Sequence, residues 1–309
     1  MEQQKFAYEQ IENGIRILRC YGNSGCVKIP EQIEGQPVTE LAAYAFAKEM
    51  DSEPENTIGL SCICGEDLQE LHLPRTIKRL GRYIFYNCIQ FEKFFFYSNI
   101  SYMGAGAFTG CEKLSYLNMQ EVPEEKSCLR EILSDLKQKV QVKVLSEEKC
   151  KYELVYPEFF EEAEENTPAR ISNTVTHGMG IQYRNAFRDT KVIFREYDKL
   201  FEKEKYNVDL TTGVEMAAAR LSYPVELEEN AKKDYILFLK KYLEQAANIF
   251  LQSEEQEKLR WLAETFVTTK EEMDILLKQA ANQEQAEKVS MLMDIKHQRF
   301  SQKKKKFSL

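Results

Sequence analysis

The side chains that most often carry out chemistry are sparse in this 309-residue sequence, whose three histidines are His72, His177 and His297. None of them lies in an HExxH motif, and the sequence has no GxSxG, phosphate-binding loop or paired CxxC. Cys20 and Cys26 have five residues between them and Cys62 and Cys64 have one, whereas zinc-binding pairs usually have two to four. The sequence therefore predicts no catalytic residue, no cofactor, no metal site and no enzymatic activity.

One segment does bring several polar and aromatic residues together. THGMGIQYRNAF contains two glycines with His177, Tyr183 and Arg184 in an apparent loop. Loops on rigid scaffolds often carry function, so these residues are candidates for contact with a partner or a ligand. The alternative interpretation is an ordinary inter-domain hairpin.

The residues around these candidates are organised by an internal repeat. LQELHLPRTIKRLGRYIFYNC (68–88) aligns with FEKFFFYSNISYMGAGAFTGC (91–111), so that Leu71 matches Phe94 at a constant offset of 23. An earlier copy, VKIPEQIEGQPVTELAAYAFA, places Phe46 39 residues before Phe85, which predicts an insertion of 16 residues between them. A fourth, partial copy begins at CEKLSYLNM.

Each repeat has a physical interpretation as one coil of a stack. The alternating apolar residues of LxxLxLP predict a short strand, and the proline ends it. Gly81 and Gly104 are expected to adopt a backbone conformation that is costly for residues with a Cβ, and Phe85 to fill the interior. Cys88 and Cys111 are expected to be small, buried hydrophobic residues. Because one coil cannot bury its apolar edge alone, neighbouring coils must stack.

The recurring proline, glycine, alanine-phenylalanine and cysteine positions resemble the BspA-type leucine-rich repeat, LxxIxIPxxVxxIGxxAFxxCxxL, over about residues 15–120. The resemblance implies a β-solenoid whose first strand pair is formed by residues 6–19. The N-terminus has acids and amides where a signal peptide has a basic and an apolar segment. We therefore expect a bacterial, cytoplasmic protein rather than a secreted one.

The sequence after residue 120 predicts capping elements, a connecting segment and helices. Residues 121–150 should form a helix and a strand that close the stack, and residues 151–213 a connecting segment in which YPEFFEEAEENTPARI follows a helical pattern. Helices are expected over residues 214–300, with Thr269 as an N-cap, before a basic disordered tail at 301–309. EKLRWLAE aligns with EKVSMLMD at an offset of 30, which resembles degenerate ankyrin-type repeats. The whole arrangement is similar to leucine-rich-repeat proteins of gut Clostridia.

The sequence thus predicts an α+β protein with an N-terminal leucine-rich-repeat β-solenoid and a C-terminal ankyrin-like helical array. Such surfaces favour a non-enzymatic protein–protein interaction scaffold. A self-assembling structural protein and an enzyme with a site near the 176–188 loop are the alternatives. The net charge of -8 argues against nucleic acid, and no stretch reaches the roughly 18 apolar residues that a membrane span needs. We expect another protein as partner, and no nucleic acid, membrane or small-molecule substrate. Further candidate contacts are Phe95, Tyr97, Asp51, Glu53 and Glu55.

Overall fold

The structure is a computed structural model that describes residues 4–49, 54–55, 59–166, 171–253 and 256–300. The chain divides into two compact units, Met1–Val208 and Asp209–Leu309. Of the helices within these described ranges, none combines the length and the apolar character that a bilayer crossing requires. The basic residues 303–306 lie outside the described residues.

The first unit is built from two six-stranded sheets. The strands of the first sheet are β1 (Lys5–Ile11), β2 (Gly14–Tyr21), β4 (Gln32–Ile33), β5 (Gln36–Leu41), β7 (Arg79–Leu80) and β9 (Tyr102–Met103). The strands of the second sheet are β3 (Cys26–Lys28), β6 (Glu70–His72), β8 (Lys93–Tyr97), β10 (Tyr116–Gln120), β11 (Val140–Ser146) and β12 (Lys149–Tyr156). From β3 to β11 neighbouring strands of the second sheet are parallel, and β12 is antiparallel to β11.

The strand register confirms the 23-residue repeat. Leu71 lies opposite Phe94 on β8, and Phe94 lies opposite Leu117 on β10, so one repeat unit advances the chain by one strand. The result is a β-solenoid, as the sequence predicts, and it has about five turns. The strands β1 and β2 form an antiparallel pair at one end of the first sheet.

The interior of the coils is an aromatic column. Phe46, Phe85 and Phe108 follow one another with ring centroids 5.7 and 5.1 Å apart. The thiols of Cys88 and Cys111 are buried beside this column and donate hydrogen bonds to the carbonyl oxygens of Phe46 and Phe85, at 3.3 and 3.2 Å. Both cysteines therefore occupy the interior positions expected for them.

The two repeat glycines are required for a reason other than the expected one. Neither Gly81 nor Gly104 has a positive φ, and the left-handed conformation falls at Tyr83, whose φ is 50°. A Cβ on Gly81 would instead lie 2.2 Å from the backbone nitrogen of Ala43, and one on Gly104 would lie 2.2 Å from that of Arg82. These glycines let successive coils approach each other closely.

The end of the predicted insertion at 47–67 packs on the first coils. Ile63 is buried, and its backbone nitrogen donates to the carbonyl oxygen of Cys20 at 2.9 Å. The backbone nitrogen of Gly65, the first residue of a 3-10 helix, donates to the carbonyl oxygen of Phe46 at 2.8 Å. Residues 59–67 are therefore an ordered part of the solenoid.

Residues 121–208 continue the first unit beyond the repeats. The helices are α1 (Leu129–Asp135), α2 (Gly180–Arg184) and α3 (Phe194–Glu204), and two hairpins are formed by β13 (Phe160–Asn166) with β14 (Ile171–His177) and by β15 (Phe187–Arg188) with β16 (Lys191–Val192). The expected helix in YPEFFEEAEENTPARI is wrong, because Phe160–Asn166 within it is a strand that pairs antiparallel with β14. Cross-strand pairing outweighs its helical spacing of apolar residues. The hydroxyl of Tyr197 on α3 donates to the carbonyl oxygen of Val155 at 2.6 Å and so attaches the helix to β12.

The second unit is helical. Its helices are α4 (Leu210–Ser222), α5 (Glu229–Lys241), α6 (Leu243–Gln252), α7 (Gln256–Trp261), α8 (Lys270–Asn282) and α9 (Ala286–Phe300). Helix α6 packs against α4 and α8, and α7 continues into a π turn over Leu262–Phe266. Thr269 is the N-cap of α8, as the sequence predicts, and it also forms a capping box with Glu272.

Candidate functional site

The outward side of the second sheet presents a continuous set of side chains in register. On every repeat strand the inward residues are buried and the alternating outward residues are half-buried or exposed. We call this surface the outer face. Its residues in two rows are Cys26, Glu70, Lys93, Tyr116 and Gln141, and Lys28, His72, Phe95, Asn118 and Lys143, with Tyr97 and Gln120 beside them.

Aromatic rings occupy the middle of the outer face. His72 and Phe95 are partners across β6 and β8, and their rings stack with centroids 4.1 Å apart and planes 6° apart. Phe95 also contacts Tyr116 on the next strand, with centroids 5.9 Å apart. The sequence identifies Phe95 and Tyr97 as outward, and both are half-buried on this face. The two residues therefore belong to one surface, with Tyr97 beside Gln120 at its margin.

Three potential metal ligands occupy one end of the outer face. Cys26 Sγ lies 3.4 Å from Glu70 Oε1, and His72 Nε2 lies 2.5 Å from the same oxygen. Burial alone would raise the pKa of Glu70, but hydrogen bonds from His72 and Cys26 and the charge of Lys93 outweigh it and hold the pKa below its usual value. Among the residues that the structure describes, this is the one group of three or more His, Cys, Asp or Glu side chains close enough to share an ion.

Sequence reasoning missed this cluster because it compared cysteine spacings along the chain. Cys26 and Glu70 are 44 positions apart and meet only through the pairing of β3 with β6. The signal available in the sequence was the outward parity of Cys26, Glu70 and His72 on equivalent repeat strands. Cys20 is buried instead, and burial raises the pKa of its thiol to about 12.

The candidates around the 176–188 segment occupy different environments. His177 ends strand β14, where its ring stacks on Phe160 with centroids 4.7 Å apart and Nε2 lies 3.4 Å from a carboxylate oxygen of Glu162. Tyr183 is fully buried, and burial raises its pKa well above the usual value. Arg184 is 5% exposed, and burial lowers its pKa to about 10.

The structure corrects the expectation that Tyr183 and Arg184 reach a partner from a loop. They belong to helix α2, and the Arg184 guanidinium donates to main-chain oxygens of the surrounding segments. The acceptors, at 2.5–3.2 Å, are the carbonyl oxygens of Leu133, Leu136, Gln138, Pro157 and Gly180. Arg184 is thus a structural residue, and only His177 of this group lies at the surface.

The acidic candidates fall mostly beyond the described part of the chain. Asp51 and Glu53 lie outside the described residues, and Glu55 is described and exposed. Partner binding by these residues stays a prediction.

The outward side of the first sheet forms a shallow groove of about 440 Å³. Arg16 and Arg79 both form ion pairs with Glu40 there, with nitrogen–oxygen distances of 2.8 and 3.4 Å. The guanidinium carbon of Arg79 stands 4.1 Å from the ring centroid of Tyr102. Because its charges are paired with one another, this groove presents a satisfied network rather than a charged binding site.

Comparison with known proteins agrees with the repeat. Residues 55–132 match the model of the BspA type leucine rich repeat region in six copies. The coils before residue 55 lie outside the match, although their strands belong to the same two sheets. No curated protein sequence matches the chain.

Two solved structures align with part of the chain. A leucine rich cell surface protein from Faecalibacterium prausnitzii A2-165 is 15% identical over 49% of this chain and 44% of its own, with a TM-score of 0.27. The leucine rich repeat protein TpLRR from T. pallidum is 19% identical over 46% of this chain and 80% of its own, with a TM-score of 0.25. The chain thus spans less than half of the first of these proteins.

Proposed function

We propose that this protein is a non-enzymatic scaffold that binds another protein through the outer face of its second sheet. Leucine-rich-repeat proteins are generally protein-interaction scaffolds. The observation that carries the proposal is a set of contacting aromatic rings on three adjacent parallel strands. Phe95 stacks on its register partner His72 and also contacts Tyr116, which lies in the neighbouring row of the same face.

This arrangement suits protein recognition for physical reasons. Aromatic side chains supply large contact areas and are enriched among the residues that dominate binding energy. The hydrogen-bonded strands fix their positions before a partner arrives, so little side-chain entropy is lost on association. Polar residues such as Asn118 and Gln120 lie next to the rings and can donate and accept hydrogen bonds at the margin of a contact.

The proposal extends to the second unit and to the setting of the protein. The helix pairs formed by α4 to α9 would act as an ankyrin-like array that offers a further binding surface. The formal net charge of -8 favours a protein partner over nucleic acid. We place this scaffold in the bacterial cytoplasm, where the buried thiols of Cys88 and Cys128 would stay reduced.

A displayed peptide library selected on the purified full-length chain tests the proposal. Binders that survive selection on the wild type should lose at least tenfold in affinity for Phe95→Asp, because a charge then replaces the central ring. Tyr102→Asp is the matched control, since Tyr102 is 46% exposed on the other sheet. Those binders should retain their affinity for this control.

Two results would count against the proposal. Binders that recognise the wild type and Phe95→Asp equally would place recognition elsewhere. Light scattering that shows a concentration-dependent oligomer, abolished by Phe95→Asp, would identify the outer face as a self-assembly surface instead.

A further inference from the structure

We propose that Cys26, Glu70 and His72 form a binding site for a divalent zinc-class metal ion at one end of the outer face. The site uses one thiolate, one carboxylate and one imidazole from two adjacent strands. The site needs no partner protein, so the metal-binding proposal and the scaffold proposal can each be true or false independently of the other.

The sheet register brings the three donors together. Cys26 on β3 is the cross-strand partner of Glu70 on β6, and His72 lies two residues further along β6 on the same side. The three ligand atoms all lie within 4.8 Å of one another. A tetrahedral zinc ion with bonds of about 2.0–2.3 Å holds its ligand atoms roughly 3.3–3.8 Å apart. The cluster is therefore close to the required size, and the short contact between His72 and Glu70 opens to admit the ion.

The surroundings hold two of the donors in place. The ring of His72 is stacked on Phe95 with Nε2 directed to Glu70. The backbone of Cys26 is fixed on both sides, because its nitrogen donates to Ser24 Oγ at 3.3 Å and its carbonyl oxygen accepts from Gln4 Nε2 at 2.5 Å. Metal sites depend on such supporting contacts, which orient the ligands before binding.

The charge and donor chemistry suit zinc better than calcium or magnesium. Sulfur and imidazole nitrogen are ligands that zinc accepts, whereas the hard cations take oxygen. On binding, the Cys26 thiol releases its proton to solvent and the sulfur forms a bond to the ion. The thiolate and the Glu70 carboxylate then neutralise the double charge. Nearby Lys28 and Lys93 consequently face a neutral centre rather than a cation.

Three protein ligands leave one tetrahedral position for water. The side chains of Glu70 and His72 are 27% and 30% exposed, so solvent reaches the ion. This open arrangement differs from closed structural zinc sites with four protein ligands.

Cobalt titration of the full-length chain tests the site. Protein treated with a chelator and kept reduced is titrated with Co²⁺, which reports sulfur ligation as a thiolate-to-cobalt charge-transfer band. We expect saturation at one ion per chain and displacement of the band by Zn²⁺. Cys26→Ser should abolish the band, and His72→Gln should weaken Co²⁺ binding at least tenfold.

Matched variants separate the site from general effects. Cys64→Ser and His177→Gln remove a thiol and an imidazole outside the cluster and should leave the titration unchanged. Phe95→Leu keeps all three ligands, so the band should remain while Co²⁺ affinity falls a few-fold. Circular dichroism checks that each variant is folded. Absence of the band in the wild type, or its persistence in folded Cys26→Ser, would overturn the assignment.

Discussion

The ring of His72 lies flat against the ring of Phe95, with centroids 4.1 Å apart, on adjacent strands of the second sheet. Phe94, the preceding residue on β8, points the other way and is fully buried among Phe85, Phe91 and Phe108. Because successive side chains of a strand point to opposite faces, Phe95 lies at the surface and Phe94 lies in the core.

We therefore expect truncation to alanine to destabilise the fold more at Phe94 than at Phe95. Phe94→Ala should lower the free energy of unfolding by about 3–5 kcal/mol, because it leaves a cavity in the core. Phe95→Ala should lower it by only about 1 kcal/mol, since it removes ring contacts with His72 and Tyr116 on a half-buried face and leaves no core cavity. Urea denaturation of the two variants measures the difference. Equal losses would mean that Phe95 is part of the core.

The close approach of successive coils predicts that Gly104→Ala is strongly destabilising. Its Cβ would lie 2.2 Å from the backbone nitrogen of Arg82, and backbone cannot move aside as a flexible side chain can. We expect a loss of roughly 3 kcal/mol or more in the free energy of unfolding. Gly35→Ala is the control, because Gly35 has a φ of 77° but no atom within 4 Å of the new Cβ. It should cost only the conformational strain of about 1–2 kcal/mol. A milder effect at Gly104 than at Gly35 would contradict the packing explanation.

Much of the solenoid could be predicted from the sequence because its periodicity is local and repeated. The 23-residue offset between Leu71 and Phe94 became a cross-strand pair, and Thr269 became the N-cap that its neighbours indicated. The prediction failed at Phe160–Asn166, where apolar spacing suggested a helix and pairing with β14 produced a strand. Pairing partners far along the chain decide such segments, and the local pattern does not contain them.

The candidate site was only partly predictable. Parity identified Phe95 and Tyr97 as outward, but the proximity of Cys26 to Glu70 depends on a 44-residue offset between β3 and β6. This offset departs from the 23-residue period because of the predicted insertion and a longer first coil. Arg184 was expected in a glycine-containing loop, yet it lies in helix α2, and main-chain oxygens from several segments accept hydrogen bonds from its guanidinium in the interior.

The capping box of α8 predicts a pH-dependent contribution to stability. Glu272 accepts hydrogen bonds from the backbone nitrogens of Thr268 and Thr269, and lies 2.5 Å from Lys240 Nζ. Burial tends to raise the pKa of Glu272, but these partners outweigh it and lower the pKa. A carboxylate with a lowered folded-state pKa stabilises the fold above its unfolded pKa, and the contribution is lost as the pH falls through the lowered value.

Glu272→Gln should therefore lower the free energy of unfolding by about 1 kcal/mol at pH 7. The difference from the wild type should shrink as the pH falls below the unfolded-state pKa of the carboxyl group, and disappear below the lowered folded-state pKa. Fluorescence of Trp261, the single tryptophan, reports unfolding of the second unit. Glu271→Gln, in the same first turn but exposed, is the control and should show a smaller difference at every pH. A pH-independent loss at Glu272 would contradict the ionic origin.

Because the guanidinium of Arg184 is buried and hydrogen-bonded, we expect that another positively charged side chain cannot replace it. Its nitrogens donate to five carbonyl oxygens, among them those of Leu133 and Leu136 at the end of α1. Lysine retains the positive charge but has three donors on one nitrogen, so Arg184→Lys leaves several buried oxygens without partners. We expect a loss of about 2–4 kcal/mol in the free energy of unfolding.

Arg188→Lys is the control. Because Arg188 is exposed on β15, this variant should change the free energy of unfolding by less than about 0.5 kcal/mol. Urea denaturation followed by far-ultraviolet circular dichroism measures both variants. Similar stabilities for the two would show that the hydrogen-bond geometry of Arg184 contributes little beyond its charge.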